Sequence, residues 1–90
     1  MMSNITSEYL EKKGFKKAAN SPLGMKDYEL NEDNAYAGVR INEKVNLSES
    51  LLVARRDENG NVMKKVIVMG FFLEESDLEN ALSICQLRIK

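Results

Sequence analysis

The segment LLVARRDENGNVMKKVIVM, residues 51–69, consists of two largely apolar runs around a polar turn. Asn59-Gly60 suits a two-residue type I′ turn, because both central residues of that turn need positive φ. The resulting register sets Val53 opposite Val66. A three-residue loop would instead set Val53 opposite Lys65 and separate the apolar partners, so we favour the two-residue turn. The segment therefore predicts a β-hairpin.

The second strand of this hairpin ends in an unbroken apolar run, Val66-Ile67-Val68-Met69. A strand with no polar side is typical of the middle of a sheet, where other elements cover both of its faces. We therefore expect this strand to be central and to be buried on both faces.

A second hairpin is predicted upstream of the first. On its first strand Lys26, Tyr28 and Leu30 share one face, and a polar turn follows at residues 31–34. The residues that share one face of its second strand are Ala37, Val39 and Ile41. Residues 42–50 then predict a loop, in which few apolar residues break a polar run.

A short helix is predicted near the N-terminal end of the chain. Thr6 is a suitable N-cap for a helix that begins at Ser7, and Ile5 and Leu10 have the spacing of a hydrophobic staple. Gly14 suits the left-handed residue that ends a helix. Because a two-turn helix is unstable alone, its apolar residues must dock on a larger element.

A second helix is predicted near the C-terminal end. The pattern Ser76-x-x-Glu79 is that of a capping box, so the helix should begin there. One apolar stripe, with the spacing that lets a helix lie across a sheet, is formed by Leu78, Ala81, Leu82 and Cys85. Residues 86–90 fit either a continuation of this helix or a short strand, and the pattern does not decide between them.

Together these elements predict an α+β protein. We expect a roughly four-stranded antiparallel sheet, a short N-terminal helix, and a C-terminal helix packed on one face. The 90 residues contain no Pro/Gly/Ser-rich linker, which favours a single domain over residues 1–90. The composition, 43% hydrophobic and 30% charged, is that of a globular protein.

The composition also excludes much catalytic chemistry. The chain has no His and one cysteine, Cys85, which removes Ser–His and Cys–His catalysis and most zinc sites. The 14 acidic residues permit a carboxylate pair, but 90 residues leave little interior for the pocket that would raise the pKa of one member. We expect no enzymatic activity, no metal and no cofactor.

The lone cysteine favours a reducing compartment. The longest apolar run, residues 66–73, is too short to span a bilayer, and no basic segment followed by an apolar one stands at the beginning of the chain. We therefore expect a cytoplasmic protein that does not enter a membrane.

Both ends of the chain resemble a known group of proteins. Residues 5–17, ITSEYLEKKGFKK, and residues 77–85, DLENALSIC, look like segments of small, mostly uncharacterised proteins encoded by phages and prophages. That group commonly has a short helix ending in Gly-Phe, a strand-rich middle, and a closing helix of the type Leu-x-Asn-Ala-Leu-x-x-Cys. The resemblance covers about a third of the chain, and its motifs are structural.

The resemblance implies an accessory protein of a mobile element that binds a host protein. We therefore expect a non-catalytic protein-binding module that inhibits a host defence enzyme, such as a CRISPR nuclease, in the host cytoplasm. The partner would then be a host protein, either alone or as part of a nucleoprotein effector complex.

Two basic clusters are the candidate partner-binding residues. They are Lys12, Lys13, Lys16 and Lys17 at the N-terminal helix, and Arg55, Arg56, Lys64 and Lys65 in the hairpin of residues 51–69. The helix cluster is better explained by the preference for cations at a helix C-terminus and by solvated surface lysines. The hairpin cluster is equally explained by lysines that protect a strand edge from pairing.

The hairpin register gives the second cluster a further consequence. Arg55 lies opposite Lys64, and like charges in that position destabilise a sheet by up to about 1 kcal/mol. An anionic group should offset them, either Asp57, Glu58, or a carboxylate or phosphate of a partner.

The alternative function is that of a small nucleic-acid-binding accessory protein. Both basic clusters would then contact phosphates directly, even though 13 basic and 14 acidic residues leave a net charge of -1.

Overall fold

The structure of the protein is a computed structural model, and it describes residues 3–70 and 72–87. These residues contain five antiparallel strands and two short helices. In chain order the elements are α1 (Ser7–Lys12), β1 (Lys16–Lys17), β2 (Met25–Glu32), β3 (Ala35–Asn42), β4 (Leu47–Arg56), β5 (Val62–Met69) and α2 (Glu75–Ile84). The sheet order is β1-β2-β3-β4-β5.

The predicted α+β class and antiparallel sheet are confirmed, but the predicted number of strands is wrong by one. The additional strand is β1, which pairs Lys16 with Glu29 and Lys17 with Tyr28. Two exposed lysines show no alternation of apolar and polar residues, so the pattern gives no signal for this strand.

The turn between β4 and β5 differs from the predicted type I′ turn. Gly60 has a positive φ of 85°, whereas Asn59 does not. The N–H of Asp57 donates to the carbonyl oxygen of Asn61 at 2.8 Å, so three residues lie inside the turn. This is the hairpin loop that ends in a left-handed glycine.

The predicted register of this hairpin is nevertheless confirmed. Val53 pairs with Val66, as expected from the apolar partners, and Arg55 pairs with Lys64. A β-bulge between Arg55 and Arg56 shifts the pairing by one residue. The bulge therefore compensates for the longer turn and keeps the valines together.

β4 begins earlier than the sequence pattern indicates. The loop predicted over 42–50 is wrong for residues 47–50, which form the start of the strand. A register shift between Arg40 and Ile41 lets the polar segment join the sheet. Ser48 is fully buried there, and its Oγ lies 3.5 Å from the carbonyl oxygen of Leu73.

α1 has the predicted cap and the predicted end. The Thr6 hydroxyl accepts a hydrogen bond from the N–H of Tyr9 at 3.2 Å. Gly14 has a φ of 97°, and the N–H of Phe15 donates to the carbonyl oxygen of Leu10 at 3.0 Å. This is the hydrogen bond that closes a helix ended by a left-handed glycine.

α2 begins earlier than predicted. Its N-cap is Glu74, whose N–H donates to the Asp77 carboxylate at 2.8 Å. The predicted capping box of Ser76 and Glu79 is therefore wrong, because Glu74 and Asp77 offer the same three-residue spacing one half-turn earlier. The predicted apolar stripe is buried: Leu78, Ala81, Leu82 and Cys85.

The structure at the end of α2 shows which of the two predicted conformations, helix or strand, residues 86–87 adopt. Gln86 has a positive φ of 60°, and the N–H of Leu87 donates to the carbonyl oxygen of Leu82 at 2.9 Å. Residues 86–87 therefore form the end of the helix and neither extend it nor form a strand. Residues 88–90 lie outside the described residues.

The register divides the sheet into two faces. One face, here called the core face, supplies the strand residues of the hydrophobic core: Tyr28, Ala35, Ala37, Val39, Ile41, Leu51 and Val53. Buried residues of both helices belong to the same cluster, and the Cys85 Sγ lies 3.6 Å from the carbonyl oxygen of Val53. Core burial is thus concentrated on this face.

The other face, here called the open face, supplies none of the described core residues. On β3, β4 and β5 it consists of Tyr36, Gly38, Arg40, Ser50, Leu52, Ala54, Arg56, Lys65, Ile67 and Met69. Antiparallel sheets commonly leave one face in water, but that face is then usually polar. Here it includes large apolar side chains.

The predicted central position of β5 is wrong. β5 pairs only with β4 among the described strands and lies at the edge of the sheet. Ile67 is 55% exposed and Met69 is 76% exposed, whereas Val66 and Val68 are half-buried and pack against the core. The apolar run is therefore covered on one face only.

Candidate interaction surface

Arg55 is held by the end of α2. Its Nε and Nη2 donate hydrogen bonds to the carbonyl oxygens of Cys85 and Gln86, the second at 2.7 Å. Carbonyl groups at a helix C-terminus lack partners within the helix and carry partial negative charge. These carbonyls offset the repulsion between Arg55 and Lys64, a source of negative charge that the sequence pattern does not reveal.

The acidic residues proposed for that role are placed otherwise. The Asp57 carboxylate accepts hydrogen bonds from the N–H groups of Asn59 and Asn61, both at 2.9 Å. These bonds, first of all that from Asn61, lower the pKa of Asp57. Asp57 thus stabilises the turn, and Glu58 is exposed.

Three residues of the predicted hairpin cluster, Arg55, Arg56 and Lys64, line one depression beside the turn. Arg55 and Lys64 pair on the core face, while Lys65 pairs with Ala54 on the open face. Arg56, beyond the bulge, is exposed and lines a depression on the open face together with Lys65. Lys65 therefore lies on the opposite face of the sheet from Arg55 and Lys64, and Arg56 borders both depressions.

The predicted helix cluster lies at the other edge of the sheet. Lys16 and Lys17 form β1, which three strands separate from β5. The Lys13 Nζ lies 5.7 Å from the centroid of the Tyr9 ring, whose hydroxyl donates to Glu79 at 3.2 Å. The eight predicted basic residues therefore form separate groups.

The open face carries an apolar strip near β5 that sequence reasoning missed. Leu52 pairs with Ile67, and Ser50 pairs with Met69, so these side chains lie side by side across two strands. The strip was hidden in the sequence because the run at 66–69 indicated burial on both faces. The alternation of exposure along β5 arises because the core packs on one face of the sheet only, as the same alternation along the central strand β3 shows.

Tyr36 and Gly38 form the floor next to this strip. The Tyr36 side chain folds over Gly38, so that a Cβ added at Gly38 would lie 2.6 Å from the Tyr36 hydroxyl oxygen. Burial, with Glu29 and Asp27 nearby, raises the pKa of Tyr36. A depression of about 240 Å³ is lined here by Tyr36, Leu52, Ile67 and Met69 among others.

A polar rim borders the depression on its β2 side. Arg40 forms a two-pronged ion pair with Asp27, with Nε–Oδ1 and Nη2–Oδ2 distances of 2.8 and 3.1 Å. The hydrogen bond to Asp27 raises the pKa of Arg40. The open face therefore combines an aromatic ring and apolar side chains with a charged rim, as protein-binding surfaces do.

The chain has one thiol, that of Cys85. Cys85 is fully buried, and burial raises the pKa of its thiol. A buried thiol of this kind is a weak nucleophile. Within 3–70 and 72–87, no cluster of three or more Cys, Asp or Glu side chains is arranged to hold a metal ion. Among the same residues, neither helix has the length and apolar character that crossing a membrane requires.

Comparison of the chain with protein-family models, with curated proteins and with solved structures finds no match. The resemblance of the two ends to phage-encoded proteins therefore stays a prediction.

Proposed function

We propose that the chain is a non-catalytic protein-binding module whose contact surface is the open face. The observation that carries the proposal is the apolar strip beside Tyr36, in which Ile67 and Met69 are exposed and Leu52 is half-buried. Large apolar side chains placed together on a surface are typical of interaction sites. The adjacent ion pair of Asp27 and Arg40 supplies the polar rim that fixes orientation in such interfaces.

We further propose that the partner is a host defence enzyme, such as a CRISPR nuclease, that the module inhibits in the host cytoplasm. The support for this partner is the resemblance of residues 5–17 and 77–85 to phage-encoded proteins. The open face supports protein binding in general and does not select the enzyme.

Direct nucleic-acid binding has weaker support than protein binding. A phosphate-binding surface needs several cations on one side of the molecule. Here Arg55 is occupied by the carbonyls of α2, and the remaining cations are divided between both faces and both edges of the sheet. We therefore expect no change in the fluorescence anisotropy of labelled single- or double-stranded DNA or RNA at low salt.

The experiment compares two variants that each truncate one side chain, half-buried at Tyr36 and exposed at Ile84. Tyr36→Ala truncates the aromatic ring of the open face, and Ile84→Ala truncates an exposed residue of α2 as the matched control. Each protein is added to a panel of purified CRISPR nucleases that cleave a fluorescent DNA. We expect inhibition by the natural chain and by Ile84→Ala, and at least about tenfold weaker inhibition by Tyr36→Ala, since aromatic residues dominate binding energies.

Each part of the proposal has its own contradicting outcome. If no nuclease is inhibited, the proposed partner is wrong. A lysate pull-down then tests the surface alone, because proteins retained equally by the natural chain and by Tyr36→Ala cannot depend on the open face. Nucleic-acid binding at low salt that weakens steeply with added salt would favour the alternative function.

A further inference from the structure

The outer edge of β5 presents backbone groups that no described residue satisfies. The N–H of Gly70 donates to the carbonyl oxygen of Glu49 at 3.0 Å, toward β4. Because backbone groups alternate in direction along a strand, those of Val68 and Val66 also point toward β4. The N–H and C=O groups of Lys65, Ile67 and Met69 therefore point away from the sheet.

The two edges of the sheet differ in how they are protected. β1 has two residues, both lysines, and offers almost no length for pairing. β5 has eight residues, and four of the large exposed hydrophobic residues belong to it: Val62, Met63, Ile67 and Met69. A long apolar edge of this kind is a template for pairing with another strand, and Lys64 and Lys65 oppose such pairing at one end of it only.

We propose that this edge pairs with the β5 edge of a second copy of the chain. The pairing is antiparallel about a two-fold axis that passes through Ile67, so that Ile67 faces its own counterpart. Val66 then lies opposite Val68, and Lys65 lies opposite Met69. Two five-stranded sheets become one continuous sheet with the two β5 strands at its centre.

The lysines select this register over those that pair more of β5, with an axis through Lys65 or Val66, and an axis through Val68 would pair only residues 67–69. An axis through Lys65 would set the two Lys65 residues opposite each other, which is destabilising. An axis through Val66 would leave them as diagonal neighbours, about 7–8 Å apart. An axis through Ile67 separates them by four residues, or about 13 Å along the strand.

Charge makes the edge complementary to itself. One end of β5 carries Lys64 and Lys65, and neither has an ion-pair partner among the described residues. The other end adjoins Glu49 of β4, whose carboxylate accepts a hydrogen bond from Asn42 at 2.9 Å. Arg40 lies near Glu49, but its guanidinium forms its ion pair with Asp27, so this end keeps an excess of one negative charge. Antiparallel pairing brings the cationic end of each copy to the acidic end of the other.

Self-complementarity of this kind is what a two-fold interface requires, since the same patch must fit both copies. It favours a second copy over an unrelated strand, which would need its own matching arrangement of charges. The pairing also closes, because it leaves only the two short β1 edges exposed. The inference goes beyond the proposed function, which concerns the open face rather than the edge.

Sedimentation equilibrium tests the dimer, with the natural chain and two charge-inserting variants. We expect a mass of about twice the chain's 10.2 kDa. Ile67→Lys puts two like charges at the axis and should weaken the dimer at least about tenfold. Ile84→Lys makes the same change at an isoleucine of similar exposure on α2 and should leave the dimer unchanged.

Cysteine cross-linking tests the register and does not depend on the folding of the lysine variant. Paired residues in a sheet have Cα atoms about 5.5 Å apart, within reach of a disulfide. Under mild oxidation, Ile67→Cys should form a covalent dimer and Met69→Cys should not, because Met69 faces Lys65. Cys85 is fully buried and does not interfere.

Three outcomes would overturn the proposal. The first is a chain that remains monomeric at about 100 µM, where weak dimers already form by mass action. The second is a dimer that Ile67→Lys, shown by circular dichroism to be folded, does not weaken. The third is equal cross-linking of Ile67→Cys and Met69→Cys. None of them bears on inhibition by Tyr36→Ala, so failure of the dimer and failure of the proposed function can be told apart.

Discussion

Leu51 and Leu52 are neighbours in the chain but belong to opposite faces of the sheet. Leu51 is buried in the core, where it pairs with Val39 and Val68. Leu52 is half-buried on the open face, between Gly38 and Ile67. Residue type alone therefore does not separate the residues that stabilise this fold from those available to a partner.

The same division separates Arg55 from Arg56. Arg55 satisfies carbonyl groups at the end of α2, whereas Arg56 is exposed on the other side of the hairpin. The two arginines are adjacent in the sequence, but Arg55 holds the end of α2 whereas Arg56 is exposed to solvent.

The largest expected effect comes from truncating the two leucines. Leu51→Ala should lower the free energy of unfolding by about 3 kcal/mol, because it leaves a cavity in a packed core. Leu52→Ala should lower it by about 1 kcal/mol, because its side chain already contacts water. Urea denaturation of both variants checks this ratio. Equal losses would mean that the open face is as buried as the core face.

Much of the core face could be predicted from the sequence. The alternation at Ala37, Val39 and Ile41, the apolar stripe of α2, and the Thr6 cap each depend on short-range spacing. Such patterns follow from the geometry of one strand or one helix. They can therefore be recognised in the sequence without knowledge of the neighbouring elements.

The open face could not be predicted in this way. Whether the run at 66–69 is covered on both faces depends on which elements pack on each face of the sheet, which its own residues do not encode. The partners of Arg55 are backbone carbonyls 30 and 31 residues away in the chain. The bulge that corrects the β4–β5 pairing also has no signature in residue type.

The second prediction compares the two arginines. Arg55→Ala removes two hydrogen bonds to the carbonyls of α2, so we expect a loss of about 1–2 kcal/mol in the free energy of unfolding. Arg56→Ala should change it by less than about 0.5 kcal/mol, because Arg56 is exposed. Thermal denaturation monitored by circular dichroism at 222 nm measures both. A loss for Arg56→Ala as large as that for Arg55→Ala would contradict this assignment.

A third prediction concerns the floor of the open face. In Gly38→Ala the new methyl group must displace the Tyr36 ring, whose hydroxyl oxygen lies 2.6 Å from its position. Since the ring belongs to a side chain that can rotate, stability should change by less than about 1 kcal/mol. The tyrosine resonances should move in an NMR spectrum, and inhibition of the proposed partner should weaken. Unchanged resonances would show that the ring does not cover Gly38.

The smallest expected effect concerns Asp57, which either stabilises the turn through hydrogen bonds or compensates the positive charge of Arg55. Hydrogen bonds from the backbone of Asn61 and Asn59 hold its pKa below the ordinary value of 3.8, so the folded state binds this proton less readily than the unfolded chain. The carboxylate therefore contributes stability above about pH 4, and this contribution is lost as the pH falls through the folded pKa.

Asp57→Asn removes that titration, so the difference in melting temperature between the natural chain and the variant should shrink as the pH is lowered from 7 to 2. The same narrowing should appear in an Arg55→Ala background, because Arg55 donates to the carbonyls of α2 and not to Asp57. A difference that disappears at every pH once Arg55 is removed would mean that the acid compensates the arginine. The assignment of Asp57 to the turn, and of the α2 carbonyls alone to Arg55, would then be wrong.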